Sequence, residues 1–230
     1  MLEGVTACLG EALCAELVFV GGAVAGLLIT DPAMPPIRPT EDVDVICKAL
    51  VLTDYHRVEA ALRAQGFVHD PDIDAPICRW RTGPGNAAAI LDVMPTLEEI
   101  LGFSNRWYPL AMDTAQNVTL RSGRTIRVIA APVFVATKLE AFRGRGGGDY
   151  MSSHDLEDLL AIVDGRASLL HECQTSPPVL RQWLGAQFEA LLAKRAFLDA
   201  LPGHLPGDAA SQARLSDLRR TLQHLAALHH

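Results

Sequence analysis

Lysine is nearly missing from this chain: Lys48, Lys138 and Lys194 stand against seventeen arginines among 230 residues. Each lysine position is correspondingly informative. The formal charge of −7 removes the broad cationic surplus that indiscriminate nucleic-acid binding requires, although a local basic patch survives an acidic average. No Lys or Arg precedes Arg38, so the N-terminus lacks the basic region that opens a signal peptide. The apolar run from Leu17 to Ile29 is too short to span a bilayer. These absences predict a cytoplasmic chain with no membrane partner. The five cysteines (Cys8, Cys14, Cys47, Cys78 and Cys173) are odd in number and scattered, with neither a C-x-x-C nor a histidine at zinc spacing. Structural thiols are expected. A Walker lysine motif, a nucleophile elbow and a zinc signature are also missing, which leaves P-loop kinase, esterase and metalloprotease chemistry without support.

What is present is material for a core. A hydrophobic content of 49% over 230 residues suits a soluble globular protein of one large domain or two small ones. The stretch around which the rest is organised runs from Val20 to Ile46. Leu17 to Val20 predicts a short buried strand, Gly21-Gly22 a turn, and Ala23 to Ile29 an apolar helix whose free N–H groups point back at the turn, a natural seat for phosphate. After a proline-rich loop from Asp31 to Pro39, Val43 to Ile46 predicts a strand. Side chains two apart in a strand share a face, so Asp42 and Asp44 point one way while Val43 and Val45 enter the core. Two carboxylates on one face repel unless a cation sits between them, and hard oxygen ligands suit Mg²⁺ (or Mn²⁺), which also accepts phosphate oxygens.

These residues resemble the nucleotidyltransferase fold of the DNA polymerase β superfamily, whose pattern is a Gly-Gly or Gly-Ser turn, an Asp-x-Asp on the next strand and a third carboxylate on a later strand. Asp92, in Ala88-Ala89-Ile90-Leu91-Asp92-Val93-Met94, matches the third. The spelling Arg38-x-Thr40-x-Asp42-x-Asp44 and the C-terminal half are most similar to the bacterial branch of AbiEii and MenT-type toxins. The resemblance implies an α/β (α+β) fold: a mixed sheet flanked by helices over residues 1–131, and a helical C-terminal subdomain over 132–230 that covers the nucleotide site. It also implies catalysis by Asp42, Asp44, Asp92 and Lys138, metal ligation by the three aspartates, and nucleotide binding by Gly21, Gly22, Ala23, Arg38, Thr40, Asp155 and Asp158. Ala23 departs from the pattern: it stands where serine is common and offers phosphate only its backbone N–H.

Around that centre, Glu3 to Glu16 predicts an opening helix, and Tyr55 to Gln65 a second, capped by Thr53 or Asp54 and ended by Gly66. Phe67 to His69 is extended, and Asp70 to Pro76 is a solvated acidic loop rather than a metal site, because its prolines break any strand. Ile77 to Thr82 alternates apolar residues with arginine, Gly83 to Asn86 turns, and Ala87 to Met94 returns as a buried strand that delivers Asp92 beside the first two aspartates. Asp92 alternatively caps a short helix from Thr96 to Leu101. Asn117 to Leu120 and Thr125 to Ile129 form two more strands about the Ser122-Gly123 turn. Arg121, Arg124 and Arg127 around it either meet phosphate or line a solvated edge.

Pro132 suits the first turn of a helix with Val133, Ala136, Leu139 and Phe142 inward and Lys138, Glu140 and Arg143 elsewhere. Arg143 to Asp149 is too glycine-rich to continue it. Ser152 to Asp155 caps a further helix running to Val163. In the resembling toxins a lysine, a glycine-rich loop and an Asp-x-x-Asp helix lie over the nucleotide, which assigns Lys138 to the triphosphate and Asp155 and Asp158 to the site. The scaffold alternative has Asp155 stabilising the helix start and Asp158 paired with an arginine such as Arg145. The remainder is helical, with Pro202 to Gly207 a flexible connection and Ser211 to His230 a last helix whose Arg214, Arg219 and Arg220 either guide an RNA acceptor or are solvated. His229-His230 is a frayed end or a tag remnant.

The function implied is metal-dependent transfer of an NMP from an NTP to an acceptor, RNA such as tRNA, with pyrophosphate released and a cognate antitoxin protein as partner. The alternatives are a small-molecule nucleotidyltransferase of the aminoglycoside-modifying type and a nucleotide-binding protein without turnover. A metal-dependent glycosyltransferase shares Asp-x-Asp but does not need the upstream Gly-Gly turn.

Overall fold

The computed structural model describes residues 1–82 and 89–229. The chain divides into two compact units, Met1–Val24 with Arg38–Ala130, and Ala25–Ile37 with Ala131–His230. The segment Ala25–Ile37, assigned from the sequence to the first unit, is thus part of the second.

The first unit is a seven-stranded mixed sheet with helices. In chain order it runs α1 (Leu2–Glu16), β1 (Val18–Val20), the start of α2 (Gly22–Leu28), β2 (Asp42–Cys47), α3 (Leu52–Ala64), β3 (Phe67–His69), β4 (Arg79–Thr82), β5 (Ile90–Pro95), α4 (Glu98–Leu101), α5 (Tyr108–Thr114), β6 (Gln116–Thr119) and β7 (Thr125–Val128). The strand order is β3-β4-β5-β2-β1-β7-β6. Strand β2 pairs parallel with β5 and antiparallel with β1, while β1 pairs parallel with β7. The two outer hairpins, β3–β4 and β6–β7, are antiparallel, as is β4 on β5. The expected turn at Gly83 to Asn86, and Ala87 and Ala88 at the start of the expected return strand, lie outside the described residues, as does His230.

Alternation in β2 is the predicted one: Val43 and Val45 are fully buried, and Asp42 and Asp44 are half-buried on the other face. On the Val43 face, Phe19, Trp80, Leu91 and Val93 are also fully buried and form the centre of the core. Two local expectations are corrected, and one helix is added. Asp54 does not cap α3 as its first residue; from the third helical position its carboxylate reaches back to the N–H groups of Leu50 and Val51 at 3.0 and 3.2 Å. Gly10 breaks α1 with φ +75°, so the opening helix is two pieces. Helix α5, with Pro109 in its first turn, has no counterpart in the sequence reading, because at seven residues it shows barely two turns of periodicity.

The second unit is helical: α6 (Ala131–Arg145), α7 (His154–Gly165), α8 (Leu169–Thr175), α9 (Pro178–Leu192), α10 (Arg195–Ala200), α11 (Ala209–Ala213) and α12 (Leu215–Ala226), with 3₁₀ turns at Leu201–His204 and Ala227–His229. Helix α6 is not a one-sided stripe; every residue from Ala131 to Thr137 is buried. It also runs through Arg143-Gly144-Arg145, where the glycine content predicted an end. The Pro202–Gly207 connection is held rather than flexible: His204 Nε2 meets the Tyr150 carbonyl at 2.7 Å, and the Gln212 amide donates to the carbonyls of Pro202, Leu205 and Pro206. Arg214 is not a freely solvated charge but is held in ion pairs within the helical unit. Its guanidinium joins Asp164 at 2.8 Å to Asp31 at 2.7 Å, and Gly165 accepts hydrogen bonds from the N–H groups of Thr30 and Asp31. This is what builds Ala25–Ile37 into the helical unit. No helix among the described residues is long and apolar enough to cross a membrane.

All five cysteines are free, four of them buried and Cys8 half-exposed. Burial pushes the thiols of Cys47, Cys78 and Cys173 up to about 12. Ellman's reagent is therefore expected to label one thiol rapidly in the native protein at pH 8, that of Cys8, and all five only after denaturation; rapid labelling of three or more would contradict the packing.

Candidate functional site

Register across the sheet decides which polar groups meet. Val20 in β1 pairs with Asp44 in β2, Asp44 with Asp92 in β5, and Asp92 with Arg79 in β4. Directly paired residues project on the same face, so Asp44, Asp92 and Arg79 form one row across three neighbouring strands. Asp42 lies on the same face, two residues along β2.

The Gly-Gly turn meets this row at its end. Gly21 follows Val20 directly and has φ +68°, a conformation that side chains other than glycine rarely adopt. A Cβ there would overlap the Asp44 carboxylate, lying 2.6 Å from its Cγ. Asp44 therefore occupies the space that glycine leaves open. The two halves of the sequence motif are in contact. Gly22 begins α2 and is buried; Ala23 is half-buried.

Arg79 completes the row. Its Nε donates to Asp92 Oδ1 at 2.8 Å, and its Nη2 donates both to Asp92 Oδ2 at 2.8 Å and to Asp42 Oδ2 at 2.7 Å. Paired carboxylates hold the guanidinium well above its ordinary pKa, chiefly through the Asp92 hydrogen bonds against the cost of its own burial, so it is a permanent cation. Asp92 is 7% exposed, and both of its oxygens are engaged by Arg79. Sequence reasoning noted arginine alternating through Ile77 to Thr82 but gave Arg79 no role. The signal was there in the alternation; what it lacked was the register, since a one-residue slip of β4 turns Arg79 to the opposite face.

Thr40 and Arg38 lie in the lead into β2. The Thr40 hydroxyl donates to the Asp42 carbonyl at 3.2 Å, and Arg38 Nη1 to the Pro39 carbonyl at 3.3 Å. Both contacts shape the approach to the strand. The acidic loop is exposed from Pro71 to Asp74, with Asp70 and Asp72 each accepting from the N–H two residues on, but Asp70 itself is not solvated: its carboxylate is almost buried and lies 3.2 Å from Arg81 Nε. Among the described residues, no three His, Cys, Asp or Glu side chains are grouped to hold a metal ion.

The remaining predicted residues form a second cluster, inside the helical unit. Lys138 Nζ lies 2.6 Å from Asp158 Oδ2 and 3.2 Å from Asp155 Oδ1. Arg145 contacts both oxygens of Asp155 at 3.0 Å, so the expected arginine partner belongs to Asp155 and not to Asp158. Ser153 caps α7 by accepting from the Leu156 N–H, and Asp155 in that first turn faces α6. Lys138, Asp155 and Asp158 have side chains only 12%, 9% and 4% exposed, so the cluster is a nearly dry ion triad. Removing Lys138 alone would strand the buried Asp158 carboxylate and leave Asp155 to Arg145, a kind of loss that costs about 3–5 kcal/mol in such settings. Burial pushes the Asp155 carboxyl up, but the hydrogen bonds and charges of Arg145 and Lys138 outweigh it and hold it below the ordinary carboxylate range.

No protein-family model matches the chain, and no curated protein matches it. Among solved structures it is similar to the crystal structure of a "putative nucleotidyltransferase" from H. pylori, with a TM-score of 0.41 and 16% identity over 99% of this chain and 91% of that one. At that score the likeness carries no argument, and the functional reading rests on the residues themselves.

Two predictions follow from this geometry. Gly21→Ala adds a disfavoured backbone conformation to a clash with Asp44, so urea denaturation is expected to show a loss of about 2–4 kcal/mol; a loss below about 0.5 kcal/mol would mean that the close approach does not exist. For Asp155 the folded pKa lies below the unfolded one, so its stabilisation is complete above the ordinary carboxylate range and is lost as pH falls through the folded value. Helical circular dichroism is expected to decline below about pH 4, with Asp155→Asn flattening that acid limb; an identical acid limb in the variant would remove Asp155 from the account.

Proposed function

We propose that this protein is a metal-dependent nucleotidyltransferase that moves an NMP from an NTP to an acceptor hydroxyl. The observation that carries the reading is the contact between Gly21 and Asp44: the turn suited to phosphate and the strand that bears two hard carboxylates are adjacent. Asp42 and Asp44 are half-buried hard oxygen donors on one face, the type suited to Mg²⁺ or Mn²⁺, and Asp92 is the third carboxylate of the row, its oxygens held by Arg79. When bound, such an ion neutralises phosphate charge and lowers the pKa of a hydroxyl.

In this reaction the acceptor oxygen forms a bond to the α-phosphorus, the bond from that phosphorus to pyrophosphate breaks, and the hydroxyl proton is released. The chain's own contribution is to hold and orient. Gly21, Gly22 and Ala23 present backbone N–H groups to the β- and γ-phosphates, and the Val43 and Val45 side chains fix the strand that aims Asp42 and Asp44. Lys138 is the residue that the resemblance gives to the triphosphate; because it also neutralises Asp155 and Asp158, its role is separated from scaffold only by Lys138→Arg, which keeps the charge.

The proposed acceptor is RNA, tRNA in particular, as in the AbiEii and MenT-type toxins that the motifs resemble, and a cognate antitoxin is the partner that this branch implies. An aminoglycoside acceptor is the alternative within the same chemistry. One observation favours the alternative of a nucleotide-binding protein without turnover: Arg79 already neutralises Asp92 and shares Asp42.

Purified protein with Mg²⁺, each α-labelled NTP in turn, and tRNA, total protein or aminoglycosides as acceptor is expected to transfer label to one acceptor class. Loss of outer-shell metal partners alone costs up to about 100-fold, so Asp44→Asn is expected to lower the rate by at least that much while unfolding at the wild-type temperature. Equal rates in the two proteins would remove the metal pair from the mechanism, and nucleotide binding by calorimetry without transfer would establish the binding-protein reading.

A further inference from the structure

In the helical unit Arg145, Arg166, Arg195, Arg214 and Arg220 each pair with an Asp or a Glu. Arg143, near the end of α6, and Lys194, just before α10, have no ion pair among the described residues, yet both line one cleft of about 160 Å³ between α6 and α9. No carboxylate lines that cleft among the described residues. Two like charges sharing a cleft repel unless an anion lies between them. The cleft wall is apolar, made by the buried Leu139, Phe142 and Leu191, and is continued by Tyr150. Tyr150 is held in place: its ring centroid lies 5.5 Å from that of Phe142 and 6.0 Å from that of Phe197, and its carbonyl meets His204 Nε2 at 2.7 Å. The half-buried Gln187 adds one amide to the lining. The volume is close to the roughly 150 Å³ that encloses a single benzene ring.

We infer that this cleft binds a phosphorylated single-ring compound of the pyrimidine nucleoside monophosphate class, its ring against the apolar wall and its phosphate between Arg143 and Lys194. Size limits the occupant to one six-membered ring, and the aromatic neighbours Phe142 and Tyr150 favour a planar one. A guanidinium and an ammonium together match the charge and the several acceptor oxygens of a phosphate. The Gln187 amide both donates and accepts, as does the edge of a pyrimidine base; a ring without such an edge would leave the amide unpaired. The site goes beyond the transferase reading and does not depend on it, because every lining residue belongs to the helical unit and none to the carboxylate row. It also gives a role to Lys194, one of only three lysines in the chain.

The test is calorimetry of the full chain with cytidine and uridine monophosphates in EDTA, so that metal-bound nucleotide at the sheet does not contribute. One equivalent is expected to bind, more weakly as salt rises. Arg143→Gln and Lys194→Gln, both at exposed positions, are each expected to weaken binding about tenfold. Ala190→Phe, which fills the cleft from an exposed position on α9, is expected to abolish it, and thermal unfolding checks each variant. Cytidine without phosphate, inorganic phosphate without a ring, and adenosine monophosphate with its larger base are each expected to bind at least about tenfold more weakly than cytidine monophosphate. No binding at millimolar ligand, or binding unchanged in the two charge variants, would overturn the inference. So would inorganic phosphate binding as tightly as the nucleotide, since the ring would then contribute nothing. If Ala190→Phe does not fold, the charge variants and the ligand series decide the question alone. The transfer assay with Asp44→Asn tests the transferase reading separately, so either can fail without the other.

Discussion

Everything at the candidate site depends on the pairing of β2 with its two neighbours. The antiparallel register of β1 sets Gly21 against Asp44, and the parallel register of β5 sets Asp92 against Asp44. Neither contact survives a slip by one residue, because alternate side chains change faces. The register is held by the apolar side of the same strands: Phe19, Val43, Val45, Leu91 and Val93 are all fully buried, so a slip would expose the core and bury the carboxylates together. Hydrophobic packing on one face is in this sense the device that positions charge on the other.

Much of this was legible in the sequence for that reason. Alternation of Val43 and Val45 with Asp42 and Asp44 encodes both core and site in six residues, and the Gly-Gly turn announces a close approach that only a residue without a Cβ permits. Asp92 was found because its strand is apolar and a hairpin is the short way to bring it back. Arg79 was not, since its partner in the site is set by how β4 aligns on β5, and no local pattern fixes that alignment. Helix α5 was missed because it is too short to show a period, and α6 was taken for amphipathic throughout because the polar residues of its exposed C-terminal half show a face that its wholly buried first half, Ala131 to Thr137, does not have.

The helical unit shows the same economy with charge. Lys138 serves two aspartates that a helical spacing of three places on one face of α7, and Arg145 at the end of α6 completes the balance. A lysine that the resemblance assigns to the triphosphate and that its rarity made prominent has two scaffold partners, Asp155 and Asp158. Rarity marks a residue as consequential without saying what the consequence is.

Arg214 ties Asp164 to Asp31, which lies 183 residues before it in the sequence, and the segment around Asp31 belongs to the helical unit although it is translated long before that unit exists. At ribosomal rates of about 5–20 residues per second, Ala25–Ile37 waits roughly 10–40 s for its partners. During that interval Ile29 and Met34, which pack around Gly165 in the finished protein, have no native surface to cover them. Vectorial synthesis thus leaves this short strap exposed in the nascent chain, so the moment of its greatest exposure to chaperones and proteases falls before release from the ribosome.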